Sequence, residues 1–240
     1  PPVDNTGAGL ADIQVSSIPV NTWIKKGHPI QDATAGDYDA GGTATVDSWV
    51  YWINNDNWER ATNPDFSLDP MLGMNVWYAP TDGSSSHTLN YSGTLNSGPV
   101  TFNIDVDGYF LMGNPYSSPV DWQKDDGNGW RRTSTIDPTI WYWVNVEGEA
   151  MEYEFAYNRS TGVVQTIPTE YGFTEDNIGH IAPHQAVWVK VQDSGPGSIS
   201  VNNQARVRSS LPLKSGSQPE SSSYEIIRLN TRRHKRFCDG

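Results

Sequence analysis

The feature that most constrains the fold is a series of short runs rich in β-branched and aromatic residues. Each run is bounded by turn formers such as Asn63-Pro64 and Asp82-Gly83, and helical periodicity is hard to find between them. The pattern therefore predicts an all-β chain. The eight clearest predicted strands span residues 47–53, 73–78, 100–106, 109–112, 139–146, 151–157, 186–191 and 198–201.

An internal repeat organises these strands. Residues 23–30 (WIKKGHPI) align with 109–116 (YFLMGNPY), and we extend the alignment by matching 50–52 with 141–143 and 75–77 with 186–188. The repeat predicts two related antiparallel β-sandwich-like units from an internal duplication, followed by a linker and a C-terminal strand. We place the units at 1–105 and 106–208, with residues 27–29 and 113–115 at equivalent turns.

The C-terminal part differs in composition. Residues 209–223 (SSLPLKSGSQPESSS) form a Ser/Pro/Gly linker, and 224–240 contain a strand-like pattern that ends in a basic run. This tail is interpreted either as a strand that pairs outside its own domain or as the start of a further module. Tyr224, Ile226 and Leu229 are the candidates for pairing between chains or with neighbouring modules.

Charge and cysteine content exclude several classes of partner and site. The net charge is −12; five of the 16 Lys and Arg residues and one of the 28 Asp and Glu residues lie in 228–240, so this segment carries +4 and the rest −16. An acidic body argues against nucleic acid as the main partner. The single Cys238 excludes an internal disulfide and a cysteine-based zinc site. No apolar stretch reaches the ~18–20 residues of a membrane-spanning helix.

Three motifs carry a resemblance to a known family. Residues 113–122 (GNPYSSPVDW) resemble the GNPYPSPIDW motif of large surface and secreted proteins of the Bacteroidetes, often found upstream of a type IX secretion sorting domain. Residues 91–98 (YSGTLNSG) and 181–190 (IAPHQAVWVK) are similar to two further segments of that family, which commonly has Gly in place of His184. The resemblance implies an extracellular or cell-surface β-rich module and brings no catalytic residues. In the motif itself, Asp121 is predicted to fix a turn by accepting a backbone N–H.

Aromatic residues alternate along the strands and place a ring on each face of a sheet. One face must be core, and the other an interface, a partner sheet or a ligand platform. Four tryptophans are the candidates for a carbohydrate-binding platform: Trp49, Trp58, Trp130 and Trp141.

Carboxylates supply two weaker alternatives. The Gly-punctuated segments with Asp105, Asp107, Asp125 and Asp126 are typical of calcium loops but lack the full twelve-residue pattern. Glu152 and Glu154 share one strand face, as an acid pair in a glycoside hydrolase fragment would, yet nothing marks a deep site.

We therefore predict no catalytic residues and no cofactor unless calcium binds. The predicted function is a non-catalytic structural or adhesive module that self-assembles through its C-terminal strand; a polysaccharide-binding module and a hydrolase fragment are the alternatives.

Overall fold

The computed structural model describes residues 10–54, 57–105, 107–145, 152–163, 179–192, 196–208 and 227–231. These residues form seventeen strands and two short 3-10 helices, Ala35–Tyr38 and Asn203–Ala205, and contain no α-helix. The all-β prediction is confirmed, and each of the eight predicted strands coincides with an observed one. The strands are β1 Ala11–Pro19, β2 Trp23–Lys26, β3 Val46–Asn54, β4 Asn57–Arg60, β5 Met74–Pro80, β6 Ser86–Gly93, β7 Val100–Ile104, β8 Gly108–Gly113, β9 Val120–Asp121, β10 Trp130–Arg132, β11 Ile136–Asn145, β12 Glu152–Asn158, β13 Gly162–Val163, β14 His180–Ile181, β15 Ala186–Val191, β16 Gly197–Val201 and β17 Ile227–Thr231.

The sheets repeat the same strand order twice. In the first half β1 pairs with β6, and a larger sheet has the order β2-β5-β3-β4. In the second half β7 pairs with β16, and the larger sheet has the order β8-β15-β11-β12, extended by β13. All pairs are antiparallel. The six strands β1 to β6 therefore correspond in chain order to β7, β8, β11, β12, β15 and β16, which confirms the predicted class of two sandwich-like units.

Each half has its own core, built by strand alternation. On β1, Ala11, Ile13 and Val15 are buried, whereas Asp12 and Gln14 between them are partly exposed. The two cores use equivalent positions: Ile24, Val50 and Val76 in the first half, and Phe110, Ile140 and Val189 in the second. Burying one such side chain contributes roughly 1.5–3 kcal/mol, so these alternating faces hold each sandwich together.

The strand registers correct part of the predicted alignment. Trp23 lies opposite Trp77, and its equivalent Tyr109 lies opposite Lys190, not Trp188. The 75–77 match is therefore wrong by two residues, and the 50–52 match by one, since Trp141 rather than Tyr142 occupies the position of Tyr51. Matching tryptophan with tryptophan was misleading because loop insertions had shifted the spacing between the two copies.

The strand pairing bears on the ends of the predicted units. Strand β7, Val100–Ile104, pairs with β16 of the second half, although the predicted boundary at residue 105 places it in the first. At the C-terminal end, β17 pairs with β1 and so adds a strand to the small sheet of the first half. The linker 209–223 and residues 224–226 lie outside the described residues.

Candidate functional site

The turns that follow β2 and β8 meet back to back. The Gly27 N–H donates to the His184 carbonyl at 3.0 Å, and the Gly113 N–H donates to the Met71 carbonyl at 2.8 Å. A Cβ on either glycine would lie 2.7 Å from the Cα of the other. Because such an approach excludes any side chain, only glycine fits at these two positions.

Further contacts obey the same two-fold relation between the halves. Lys26 forms a β-bridge with Gln185, and their equivalents, Met112 and Leu72, form another. His184 and its equivalent Met71 both adopt left-handed backbone conformations, with φ of 58° and 69°. Glycine adopts this left-handed region far more readily than histidine or methionine.

Residues of the GNPY segment fill the space around these turns. The Asn114 Nδ2 donates to the carbonyls of Ser118 (2.9 Å), Ile181 (3.0 Å) and Ala182 (3.1 Å), and its Oδ1 accepts the Tyr116 N–H at 2.9 Å. The buried Tyr116 hydroxyl donates toward the carbonyls of Val201 (2.9 Å) and Gly98 (2.5 Å). Burial raises the pKa of Tyr116 despite the nearby Arg206.

The two other motif segments converge on the same place. The Asn96 Nδ2 donates to the Pro115 carbonyl (3.0 Å) and the Ile30 carbonyl (3.2 Å), and the Tyr91 hydroxyl lies 2.9 Å from the His184 Nδ1. Three segments that are far apart in sequence thus join the two halves. We call this region, residues 26–30, 71–73, 91–98, 113–118 and 181–186, the motif junction.

The motif junction contains buried titratable groups. Burial lowers the pKa of His184 well below its ordinary value, with Lys26 and His28 adding to the effect. Burial also lowers the pKa of His28, although its ring nitrogens lie 3.2 Å from the carbonyls of Ile30 and Asp69. Both imidazoles are therefore held in the neutral form inside the folded protein.

The end of the GNPYSSPVDW motif also serves packing. The Asp121 Oδ1 accepts the Gln123 N–H at 2.9 Å, as predicted. Trp122 and Trp130 are fully buried, their rings meet edge to face at 5.0 Å, and the Arg132 guanidinium lies 4.4 Å from the Trp122 ring centroid. The Trp130 Nε1 donates to the Asp121 carbonyl at 2.7 Å. The prediction of Trp130 as a platform residue is therefore corrected: it belongs to the core.

The faces of the two larger sheets that point away from their own cores are rich in aromatic residues. In the first half, Trp23, Trp77 and Trp49 lie side by side across three strands, all partly exposed. The ring of Trp23 meets Tyr51 at 5.6 Å and 71°. The equivalent rings of the second half, Tyr109 and Trp141, meet at 5.4 Å and 71°.

Sequence reasoning missed Trp23 and Tyr109 as members of this aromatic surface. Both Trp23 and Tyr109 begin the strands of the repeat, so their equivalence was visible. Their neighbours across the sheet were not visible, because cross-strand register is a tertiary property.

Part of this surface is covered by the other half of the molecule. Ile53 packs on the buried cluster of Leu111, Ala186 and Trp188, and the ring of Trp58 meets Trp188 at 5.7 Å. The β3–β4 hairpin of the first half therefore lies on the large sheet of the second. Of the predicted platform residues, Trp58 retains 43% exposure, while Trp49 and Trp141 are partly exposed.

The predicted carboxylates lie apart from the motif junction. Asp105, Asp107, Asp125 and Asp126 are all exposed, and Asp126 forms ion pairs with Arg132 (2.7 Å) and Arg159 (3.2 Å). Asp125 lines an open cavity of about 550 Å³ together with Asp121, Gln123, Lys124, Asn128 and Gln204. Within the described parts of the chain, no group of three or more His, Cys, Asp or Glu side chains is placed to hold a metal ion.

Of the strand proposed for pairing between chains, Leu229 lies in β17 opposite Ile13, while Tyr224 and Ile226 fall outside the described residues. No helix among the described residues is long and apolar enough to cross a membrane. No protein-family model, curated protein or solved structure matches the chain.

Proposed function

We propose that this chain is a non-catalytic structural or adhesive module of a bacterial extracellular or cell-surface protein. One observation supports the proposal above all: the residues of the three motifs are used to join two β-sandwiches. The Asn96 amide donates to the Ile30 carbonyl of the first half and the Pro115 carbonyl of the second. The Tyr91 hydroxyl of the first half lies 2.9 Å from the His184 Nδ1 of the second. A motif whose polar groups are hydrogen-bonded within the chain suits a structural unit that holds a fixed shape.

The glycine contact adds a second line of support. Gly27 and Gly113 bring the two backbones together without intervening side chains, and hydrogen bonds cross between the halves on both sides. A rigid connection of this kind differs from the linker between independent domains, where relative motion is the default. The resemblance to Bacteroidetes surface proteins agrees with a module set within a longer polypeptide.

Polysaccharide binding is the second candidate, favoured by the partly exposed rings on the larger sheets. Trp23 and Tyr51 in one half and Tyr109 and Trp141 in the other present the same edge-to-face geometry twice. Flat stacking on sugar rings needs exposed ring faces, however, and the tilt of 71° turns one ring of each pair edge-on.

Two measurements on the purified chain test the proposal. Small-angle X-ray scattering should give a single rigid particle that contains both halves in one fixed arrangement. Incubation with polysaccharides, peptides and esters should release no product, and Asp126→Ala should behave like the parent chain. Turnover that disappears in Asp121→Asn or Asp126→Ala would favour the hydrolase alternative.

Binding to immobilised polysaccharides separates the two candidates. Retention that Trp23→Ala or Tyr109→Ala weakens would establish the carbohydrate-binding alternative. The exposed Ser84→Ala variant, in the loop between β5 and β6, provides the control.

A further inference from the structure

We propose that β17 is a shared strand: in assemblies of this protein, the edge of β1 takes β17 from a second copy. The pairing within one chain is then the closed form of the same contact. This inference rests on the proposed function and adds to it the acceptor surface, which the sequence did not indicate.

The β1 edge is built to receive a strand. Strand β17 runs antiparallel to β1 over five residue pairs, from Ala11 opposite Thr231 to Val15 opposite Ile227. The residues of β1 that point to the core are almost fully buried. The register places Ile227 opposite Val15 and Leu229 opposite Ile13, so backbone pairing with β1 extends over the full length of β17.

The internal duplication shows that β17 is an addition to the repeated unit. In each half the repeat supplies a pair of strands, β1 and β6 or β7 and β16, and a third strand is added to that pair. The second half obtains this strand, β10, from an insertion within the repeat, where it pairs with β16. The first half obtains β17 from beyond the repeat, so the source of its third strand is not fixed by a short connection.

The connection is long enough for either arrangement. Eighteen residues, 209–226, separate Arg208 from Ile227. An extended chain of this length spans at most about 60 Å. Because the same backbone hydrogen bonds form within or between chains, the balance depends on concentration, with the tethered strand acting at an effective concentration of the order of millimolar. Copies displayed densely on a surface reach local concentrations at which pairing between chains competes with pairing within one chain.

Charge favours the encounter between copies. Residues 228–240 carry +4, whereas the remainder of the chain carries −16. A basic C-terminal segment therefore approaches a chain of opposite net charge, and the association rate should fall as salt screens the attraction beyond ~8 Å at physiological ionic strength.

Cross-linking between variants tests exchange directly. Asp12 and Asn230 are opposite residues in the β1–β17 ladder. Opposite residues of an antiparallel pair lie ~4.5–5.5 Å apart at Cα, within the range of a disulfide. In a Cys238→Ser background, the full-length Asp12→Cys chain is mixed with the Asn230→Cys chain, from micromolar to millimolar concentration, under mild oxidation. Asp12→Cys mixed with the exposed Ser84→Cys measures random collision.

We expect a covalent heterodimer that rises with concentration and exceeds the Ser84→Cys control by roughly tenfold near the millimolar effective concentration of the tether. The double variant Asp12→Cys/Asn230→Cys should close as a monomer when dilute. Heterodimer at the control level throughout, with a double variant that still closes, would overturn exchange. A double variant that does not close would overturn the β1–β17 contact itself. Neither result touches the proposed function, which the scattering and turnover measurements decide.

Discussion

The two halves share one six-strand plan but complete it by different means. In the second half the third strand of the small sheet, β10, comes from within the repeat, and its Trp130 anchors the core beside Trp122. In the first half the third strand, β17, comes from beyond the repeat and pairs with β1. The two added strands therefore lie on different members of the strand pair, because β10 pairs with β16, the equivalent of β6. The duplicated part of the sequence thus specifies the sandwich, and later additions specify how its edges are closed.

The motif junction differs from these edges because it preserves the two-fold relation closely. Gly27 and Gly113, and likewise Met71 and His184, make reciprocal backbone contacts. The side chains of the two copies nevertheless diverge, as with His28 and Asn114. Backbone geometry is therefore the shared element, and the side chains at each turn set the stability of its own half.

The largest expected effect comes from Gly113→Ala. Its Cβ would lie 2.7 Å from the Gly27 Cα, and neither backbone can move without breaking the reciprocal hydrogen bonds. We expect a loss of about 3 kcal/mol or more in the free energy of unfolding, measured by chemical denaturation. Gly83→Ala, where no atom lies within 4 Å, should cost only the ~1 kcal/mol of a left-handed alanine. Equal losses in the two variants would refute the close contact between the turns.

The next effect concerns Asn114→Ala. The substitution removes an amide that contacts three carbonyls within 3.1 Å, and it leaves buried acceptors without their donor. The free energy of unfolding should fall by about 2–3 kcal/mol. The exposed Asn128→Ala should change it by less than about 0.5 kcal/mol. A near-neutral Asn114→Ala would mean that this side chain does not fix the turn after β8 to the segment around residues 181–182.

A smaller effect compares equivalent rings of the two halves. Trp23 meets both Tyr51 and Trp77, whereas Tyr109 meets Trp141 and a lysine and is 44% exposed. We expect Trp23→Ala to cost about 2 kcal/mol and Tyr109→Ala about 1 kcal/mol, because partial exposure reduces the value of a full core truncation. Thermal melts of both variants measure the difference. If Tyr109→Ala lost more stability than Trp23→Ala, the second half and not the first would bury its outer rings more fully.

These features were not equally visible in the sequence. Strands such as β3 and β15 were predictable because alternation and flanking turn residues are local signals. The turn fixed by Asp121 was predictable for the same reason. Burial of Trp130 was not, since alternation states that a residue changes face but not which face meets the core.

The motif junction was even less accessible to sequence reasoning. His184 and Gly27 are far apart in the chain, and their contact follows only from the packing of two sandwiches. The repeat was correctly recognised at 27 and 113, where glycine and proline mark identical turns. It was misaligned at Trp77 and Trp188, where only residue type suggested a match.

The smallest expected effect is a dependence of stability on pH that originates at the motif junction. Burial lowers the pKa of His184 well below its ordinary value of 6.5 and lowers that of His28 as well, so the folded protein holds both rings neutral. The unfolded chain takes up protons on these histidines below pH ~6.5, and stability is therefore lost as pH falls from 6.5 toward each folded pKa.

His184→Gly removes one titrating group, and glycine also accepts the φ of 58° at this position. The variant loses the buried imidazole and its contact with the Tyr91 hydroxyl, so the stability of each protein is compared with its own value at pH 8. Between pH 6.5 and 5.5 it should lose about 1 kcal/mol less than the parent, as measured by urea denaturation at each pH. Removal of His87, which lies 2.7 Å from Asp39 outside the motif junction, serves as the comparison. A parent and a His184→Gly variant with the same pH dependence would show that the buried imidazole does not couple protonation to the contact between the halves.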